Sequence, residues 1–171
     1  MLKKISLFAL MLAAITFAAC AGEQAEQQDT EEESGEAASA EMTPEQIGDA
    51  AGQLYAQAMQ EVVDLLEGQP EAEEVTPKLE ELKESYVQKL VELGHKREAL
   101  DESGRSTVDR STMAVLGRIS PDLYEAYRAA QRNYAGSETG NLIASFNTIT
   151  QYMNFELLKR QEPAEAERLG L

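Results

Sequence analysis

Residues 43–67 read TPEQIGDAAGQLYAQAMQEVVDLLE, and this stretch decides the fold class. A hydroxyl at Thr43, a proline at position 44 and a glutamine at position 46 together form the pattern of a capping box with Pro at the first helical position. Apolar side chains then recur every three or four residues, as on one face of a helix: Ile47, Ala51, Leu54, Ala58, Val62, Leu65 and Leu66. The stretch therefore predicts an amphipathic helix over 44–67, before Gly68-Gln69-Pro70.

The same start signal, a hydroxyl residue followed by proline, occurs at Thr76-Pro77 and Ser120-Pro121. It predicts two more helices, over 77–101 and 121–134. Apolar spacing adds a shorter helix over 106–118, with Val108, Met113 and Leu116 facing inward. A long final helix over 139–161 places Leu142, Phe146, Ile149, Met153 and Leu157 in one row, and Pro163 ends it before a last turn over 164–169.

No stretch of six or more residues alternates apolar and polar side chains as a strand would. We therefore expect an all-α fold. The short connections favour antiparallel neighbours, so residues 43–171 are predicted to form a small antiparallel bundle of four to five helices.

The amino terminus has a different composition. Lys3 and Lys4 precede residues 5–19, which carry no charge and end on small side chains. A short basic head followed by such a stretch is typical of a secretory signal peptide, here residues 1–19. The apolar part is shorter than the roughly 20 residues that a membrane-spanning helix needs, and we expect it to be cleaved.

The segment Phe17-Ala18-Ala19-Cys20 contains the only cysteine and resembles the lipobox of bacterial lipoproteins. The resemblance covers these first twenty residues, and Phe17 departs from it, since Leu is commonest there. It implies that the Cys20 thiol carries diacylglycerol and that the mature chain begins at Cys20. The absence of Asp at positions 21 and 22 implies sorting to the periplasmic face of the outer membrane. The alternative is an ordinary signal peptide that ends near a cysteine.

The segment that follows Cys20 is acidic. Residues 21–42 hold eight acidic side chains and no basic one, with few apolar groups. Such a composition cannot offset the entropy of ordering, so residues 20–42 are predicted to be a lipidated, disordered tether. A flexible chain of this length spans on the order of 25 Å, and self-repulsion extends it. The alternative is an acidic bait for a basic partner.

Charge and residue counts exclude several function classes. The whole chain carries 31 acidic and 15 basic side chains, for a net charge of −16, which argues against nucleic acid as a partner. One Cys and one His do not make a zinc site. The only histidine, His95, stands three residues after Glu92 in the spacing used by di-iron bundles, but no second motif exists and His95 is predicted to face water. We expect no metal, no cofactor and no enzymatic activity.

The final helix offers the candidate recognition residues. Tyr152 and Phe155 project away from its apolar row, so the helix is either central in the bundle or contacts a partner through these two aromatic anchors. Four asparagines are candidates for the lining of a polar groove: Asn133, Asn141, Asn147 and Asn154.

Two functional hypotheses follow from these features. The leading one is a membrane-anchored extracytoplasmic lipoprotein that presents its bundle as a module for binding proteins or for envelope assembly, with a lipid bilayer and an envelope protein as partners. The alternative is a periplasmic carrier of a small apolar ligand or cofactor. Its cavity would lie between helices, walled by Tyr86, Tyr127, Phe146 and Tyr152.

Overall fold

A computed structural model describes residues 41–171, and these residues form an all-α domain. The predicted signal peptide, Cys20 and the tether up to residue 40 lie outside the described residues. The described part has seven α-helices and one 3-10 segment, more than the four to five helices predicted, because the predicted final helix is divided and the predicted last turn forms a short helix of its own. In chain order they are α1 (Pro44–Leu65), α2 (Ala72–Glu98), α3 (Glu102–Leu116), α4 (Pro121–Asn133), α5 (Glu138–Ser145), the 3-10 segment (Phe146–Met153), α6 (Phe155–Gln161) and α7 (Pro163–Arg168).

The predicted starts of α1 and α4 are confirmed. The Thr43 hydroxyl accepts a hydrogen bond from the Gln46 backbone N–H at 3.3 Å, and the Gln46 side chain accepts one from the Thr43 N–H at 2.9 Å, which completes the capping box. Ser120 caps α4 by accepting from the Asp122 N–H at 3.2 Å. Each cap satisfies N–H groups that the first helical turn leaves without a partner.

The prediction for the start of α2 is wrong. The helix begins at Ala72, five residues before Pro77, and this proline lies inside it. The Thr76 hydroxyl does not cap the helix: it donates to the Ala72 carbonyl oxygen at 2.7 Å and lies 2.8 Å from the Thr139 hydroxyl. A hydroxyl before proline therefore serves here as a contact between α2 and α5.

The predicted start of α3 is also wrong. Asp101 is the cap, since its carboxylate accepts from the Gly104 N–H at 2.7 Å, and α3 begins at Glu102. Gly104 belongs to the first turn of α3 and does not interrupt the helix. Val108 and Thr112 face the core, and Met113, predicted to face inward, is exposed, because the buried position next to it is taken by the polar Thr112.

Helix α1 is the central element, and it contacts α2, α3, α4 and the 3-10 segment. Its approach to α3 is especially close at Gly48 and Gly52, one helical turn apart. A Cβ atom on Gly48 would lie 2.4 Å from the Val108 carbonyl oxygen, and one on Gly52 would lie 2.5 Å from the Val115 Cβ. The buried Thr112 hydroxyl lies 2.9 Å from the Val108 carbonyl oxygen of its own helix and 3.2 Å from the Gly48 carbonyl oxygen, so its one hydrogen is shared between an acceptor in α3 and an acceptor in α1.

The predicted final helix is replaced between residues 146 and 153 by a 3-10 segment. Phe146, Ile149 and Tyr152 stand three residues apart, and all three are buried. Side chains at this spacing eclipse one another in a 3-10 helix, which has three residues per turn, but drift around an α-helix, which has 3.6. The segment therefore places a straight apolar row on the core. Asn154 ends it and caps α6 by accepting from the Leu157 N–H at 3.0 Å.

The end of the predicted tether reaches the domain at Met42. Its side chain is half-buried against the core, in a shallow groove between α1 and α2 lined in part by Leu54 and Leu93. The Lys96 ammonium donates to the Met42 sulfur at 3.3 Å. The chain thus contacts the folded domain one residue before the Thr43 cap.

We predict that Gly48→Ala lowers the free energy of unfolding by about 1–3 kcal/mol, because the added methyl group cannot fit against the α3 backbone. The same change in an open helix stabilises by roughly 0.5–1 kcal/mol. Gly117→Ala is the matched control, since the nearest atom to its Cβ would be 3.5 Å away. Urea unfolding of the full chain measures both, and a Gly48→Ala variant at least as stable as the parent would contradict the close contact.

Candidate functional site: the groove between α3 and the 3-10 segment

A groove of about 370 Å³ runs between α3 and the 3-10 segment. The α3 wall and the end of α2 contribute one ion pair and an apolar strip, and the opposite wall contributes amide and hydroxyl groups. The lining residues are Arg97, Asp109, Thr112, Met113, Leu116, Asn147, Thr148, Thr150, Gln151, Met153, Asn154 and Leu157.

Met113 gives this groove its exposed apolar surface. Its side chain is 66% exposed, and within residues 41–171 it is the one large apolar side chain that stands so far into solvent. Leu116 and Leu157 are partly buried beside it in the same lining. Isolated exposed apolar residues are common on proteins. Here the exposed methionine adjoins further apolar surface in a concave site.

Arg97 lines the groove as the buried partner of an ion pair. Its Nε and Nη2 atoms donate to the two carboxylate oxygens of Asp109, both at 3.1 Å, and Nη1 donates to Glu98 at 2.8 Å. The Arg97 side chain is 8% exposed, whereas that of Asp109 is 59% exposed. The Arg97 guanidinium is thus bonded within the domain, and the charged group that remains accessible is the Asp109 carboxylate.

The 3-10 segment presents two outer rows to the groove. Asn147 and Thr150 begin one row, which ends at the buried Met153, and neither polar side chain has a hydrogen-bond partner among residues 41–171. In the other row, the Gln151 amide donates to Glu162 at 2.7 Å, and the Asn154 side-chain oxygen caps α6. This wall therefore keeps free side-chain donors and acceptors on a backbone that the buried row holds in place.

Of the four asparagines singled out from the sequence, Asn147 and Asn154 do line this groove. Asn133 lies in a separate groove beside the α1–α2 turn, and Asn141 lies in another beside the α4–α5 turn. The structure thus brings together two of the four.

Tyr152 and Phe155, the predicted partner-binding anchors, are core residues and do not form an exposed pair. They are only 2% and 7% exposed, so the domain itself takes up their apolar surface. The Phe155 ring fills the space left by Gly94, whose Cβ would lie 2.5 Å from the ring, and it meets the His95 ring edge-on at 5.0 Å. Of the two interpretations of this helix, its central packing is the one observed.

The Tyr152 hydroxyl links the core to an ion-pair cluster between α2 and α7. It donates to Glu165 at 3.1 Å, and burial together with that carboxylate raises the pKa of Tyr152. Arg168 donates to Glu165 at 2.8 Å and to Glu84 at 2.9 Å. These hydrogen bonds hold the pKa of both carboxyl groups below the usual range.

The remaining candidate residues are placed as follows. His95 is exposed, as predicted. Within residues 41–171 no group of three or more His, Cys, Asp and Glu side chains is arranged to hold a metal ion. The four aromatic residues proposed as cavity walls are buried in the core and line none of the grooves described above: Tyr86, Tyr127, Phe146 and Tyr152.

A comparison of this chain with protein-family models, curated proteins and solved structures finds no match. In the part of the chain that the structure describes, none of the helices combines the length and apolar character needed to span a bilayer.

We predict that Arg168→Gln reduces the loss of stability in acid. Glu84 and Glu165 have lower pKa values in the folded state than their ordinary 4.5, so their ion pairs contribute fully above that pH and are lost as pH falls through the folded values. Because Arg168 is partly exposed, the contribution is below about 1 kcal/mol. Urea midpoints measured from neutral to acidic pH test this. Arg128→Gln, which breaks an exposed pair with Glu125, is the control, and parallel acid profiles for both variants would refute the assignment.

Proposed function

We propose that this protein is a lipid-anchored lipoprotein of the bacterial cell envelope that binds another protein through the groove between α3 and the 3-10 segment, without catalysis. The observation that carries the binding role is the exposed Met113 in a concave site beside unpaired amide and hydroxyl groups. Interfaces combine such apolar anchors with polar groups that fix orientation.

The anchor is proposed from the sequence around Cys20. The lipobox resemblance assigns acyl chains to its thiol, and more than one chain is needed for stable membrane attachment. The chain from Cys20 to Met42 would then give the domain an average reach on the order of 25 Å or more from the membrane surface. By the same resemblance, the outer membrane is the proposed location.

A protein-binding role is favoured over a carrier of small apolar ligands. The four aromatic side chains that would wall a carrier cavity are packed in the core, and three of them also donate hydrogen bonds through their hydroxyl groups. Tyr86 donates to Glu61 at 2.8 Å, Tyr127 to the Ile143 carbonyl oxygen, and Tyr152 to Glu165. The groove, by contrast, is open to solvent.

The lipid anchor predicts that cells supplied with an alkyne-bearing palmitate label this protein at Cys20. Intact mass of the membrane-extracted chain should show an amino terminus at Cys20 with added acyl chains. Cys20→Ser should abolish labelling and membrane retention, whereas Ser34→Ala, in the tether, should change neither. A bare thiol on the parent protein, or label retained by Cys20→Ser, would rule out the anchor.

The binding role predicts a site-specific protein adduct at the groove. A photoreactive benzoylphenylalanine at Met113, where the side chain already projects into solvent, should cross-link to a discrete envelope protein in living cells. The same residue at the exposed position of Asn133, in a different groove, should not. Absence of an adduct from position 113, or the same adducts from both positions, would exclude this groove as the binding surface.

A further inference from the structure

We infer that the groove binds a segment of its partner in the β-extended conformation, with a Lys or Arg close to an apolar side chain. This inference rests on the proposed function, because it specifies which ligand the proposed binding groove accepts. Its basis is the straight polar row on the 3-10 segment together with the charge and apolar surface on the α3 wall.

The spacing of the polar row matches an extended peptide. In a 3-10 helix, residues three apart are eclipsed and lie about 6 Å apart along the axis, so Asn147 and Thr150 form a row parallel to it. In an α-helix such a row would wind around the axis. In an extended chain, the N–H and C=O of every second residue point to the same side, about 6.4–6.8 Å apart. One row can therefore meet two successive backbone sites of a strand.

The hydrogen-bonding capacity of the wall suits a peptide backbone. Asn147 and Thr150 are free of partners within residues 41–171, and the Asn154 amide nitrogen and the Gln151 side-chain oxygen are not used by the bonds described above. These groups offer donors and acceptors side by side. A strand presents a free N–H and C=O at each residue, whereas a helix satisfies these groups internally. The polar row can thus bond to the backbone of a strand, whereas it could bond to a helix only through that helix's side chains.

The charge of the groove selects a cationic ligand. Arg97 is buried and fully engaged, so the accessible charged group in the lining is the Asp109 carboxylate. It accepts one hydrogen bond from Arg97 on each oxygen and retains lone pairs for another donor. Residues 43–171 carry 23 acidic and 13 basic side chains, a net charge of −10, which adds attraction for a basic segment.

The apolar residues of the groove predict an apolar side chain next to the Lys or Arg of the ligand. Met113 lies one helical turn after Asp109 on α3, so a cation held at the carboxylate places a neighbouring residue beside the methionine. Methionine adapts its shape to different apolar groups. We therefore expect tolerance in the apolar residue and selectivity for the positive charge.

The test uses a random library of linear decapeptides displayed on phage, selected on the full chain purified from membranes in detergent. Selection should enrich peptides with a Lys or Arg next to an apolar residue. Asn147→Ala and Thr150→Val should each weaken binding of a selected synthetic peptide about fivefold, as expected for loss of one hydrogen bond. Asn133→Ala, the matched asparagine in another groove, should bind as the parent does.

A scan of the selected peptide with single backbone N-methyl groups reports the bound conformation. Methylation should weaken binding at every second residue, because alternate N–H groups of a strand face the same side. Failure to enrich any peptide, enrichment of acidic or amphipathic helical peptides, or N-methyl losses without a period of two would overturn the inference. If the adduct at Met113 persists in any of these cases, the binding role stands and only the ligand class is wrong.

Discussion

The close contact between α1 and α3 determines where the groove lies. At Gly48 and Gly52 the two helices approach until there is no room for a Cβ atom, and Thr112 bonds to the Gly48 carbonyl oxygen across the contact. This fixes the rotation of α3 about its axis. Because Val108 and Thr112 face α1, the residues that follow each of them by one position, Asp109 and Met113, turn about 100° away and form the groove wall.

The opposite wall depends on a second set of contacts. The row of Phe146, Ile149 and Tyr152 is buried with a period of three, and this holds the 3-10 geometry in a segment longer than most. Tyr152 is held from outside by Glu165, which Arg168 joins to α2, and the ring of Phe155 occupies the gap at Gly94. Because this apolar row is packed in the core, the residues between its members, such as Asn147 and Gln151, lie on the groove side of the segment.

The all-α class and the starts of α1 and α4 could be predicted because they depend on local chemistry: a cap, a proline and an apolar period. The start of α3 was missed although it is local, because the Asp101 cap precedes a glycine, whereas the start of α2 was missed because of a tertiary contact. Thr76 was expected to cap a helix, but it bonds to Thr139 sixty-three residues away. The change from α-helix to 3-10 helix at Phe146 could not be predicted, because the search for apolar periodicity accepts spacings of three and of four residues equally.

The groove itself was only partly predictable. The sequence indicates Asn147 and Asn154 as candidates, but an apolar pattern assigns Met113 to the core, because it passes over the polar Thr112 that is in fact buried beside it. The one available signal was Gly48-x-x-x-Gly52 within a helical pattern. Glycine costs stability in a helix unless close packing requires it, and such a pair indicates which face another helix approaches.

The rotation of α3 against α1 places Asp109 and Met113 in the groove, and nuclear Overhauser contacts in the full chain measure this rotation directly. Strong contacts are expected between the Gly48 Hα and Ser111 Hβ protons and between the Gly52 Hα protons and the Val115 methyl groups. Helical α1 and α3 that lack these contacts, or that show contacts from Gly52 to Met113 instead, would contradict the placement of the groove.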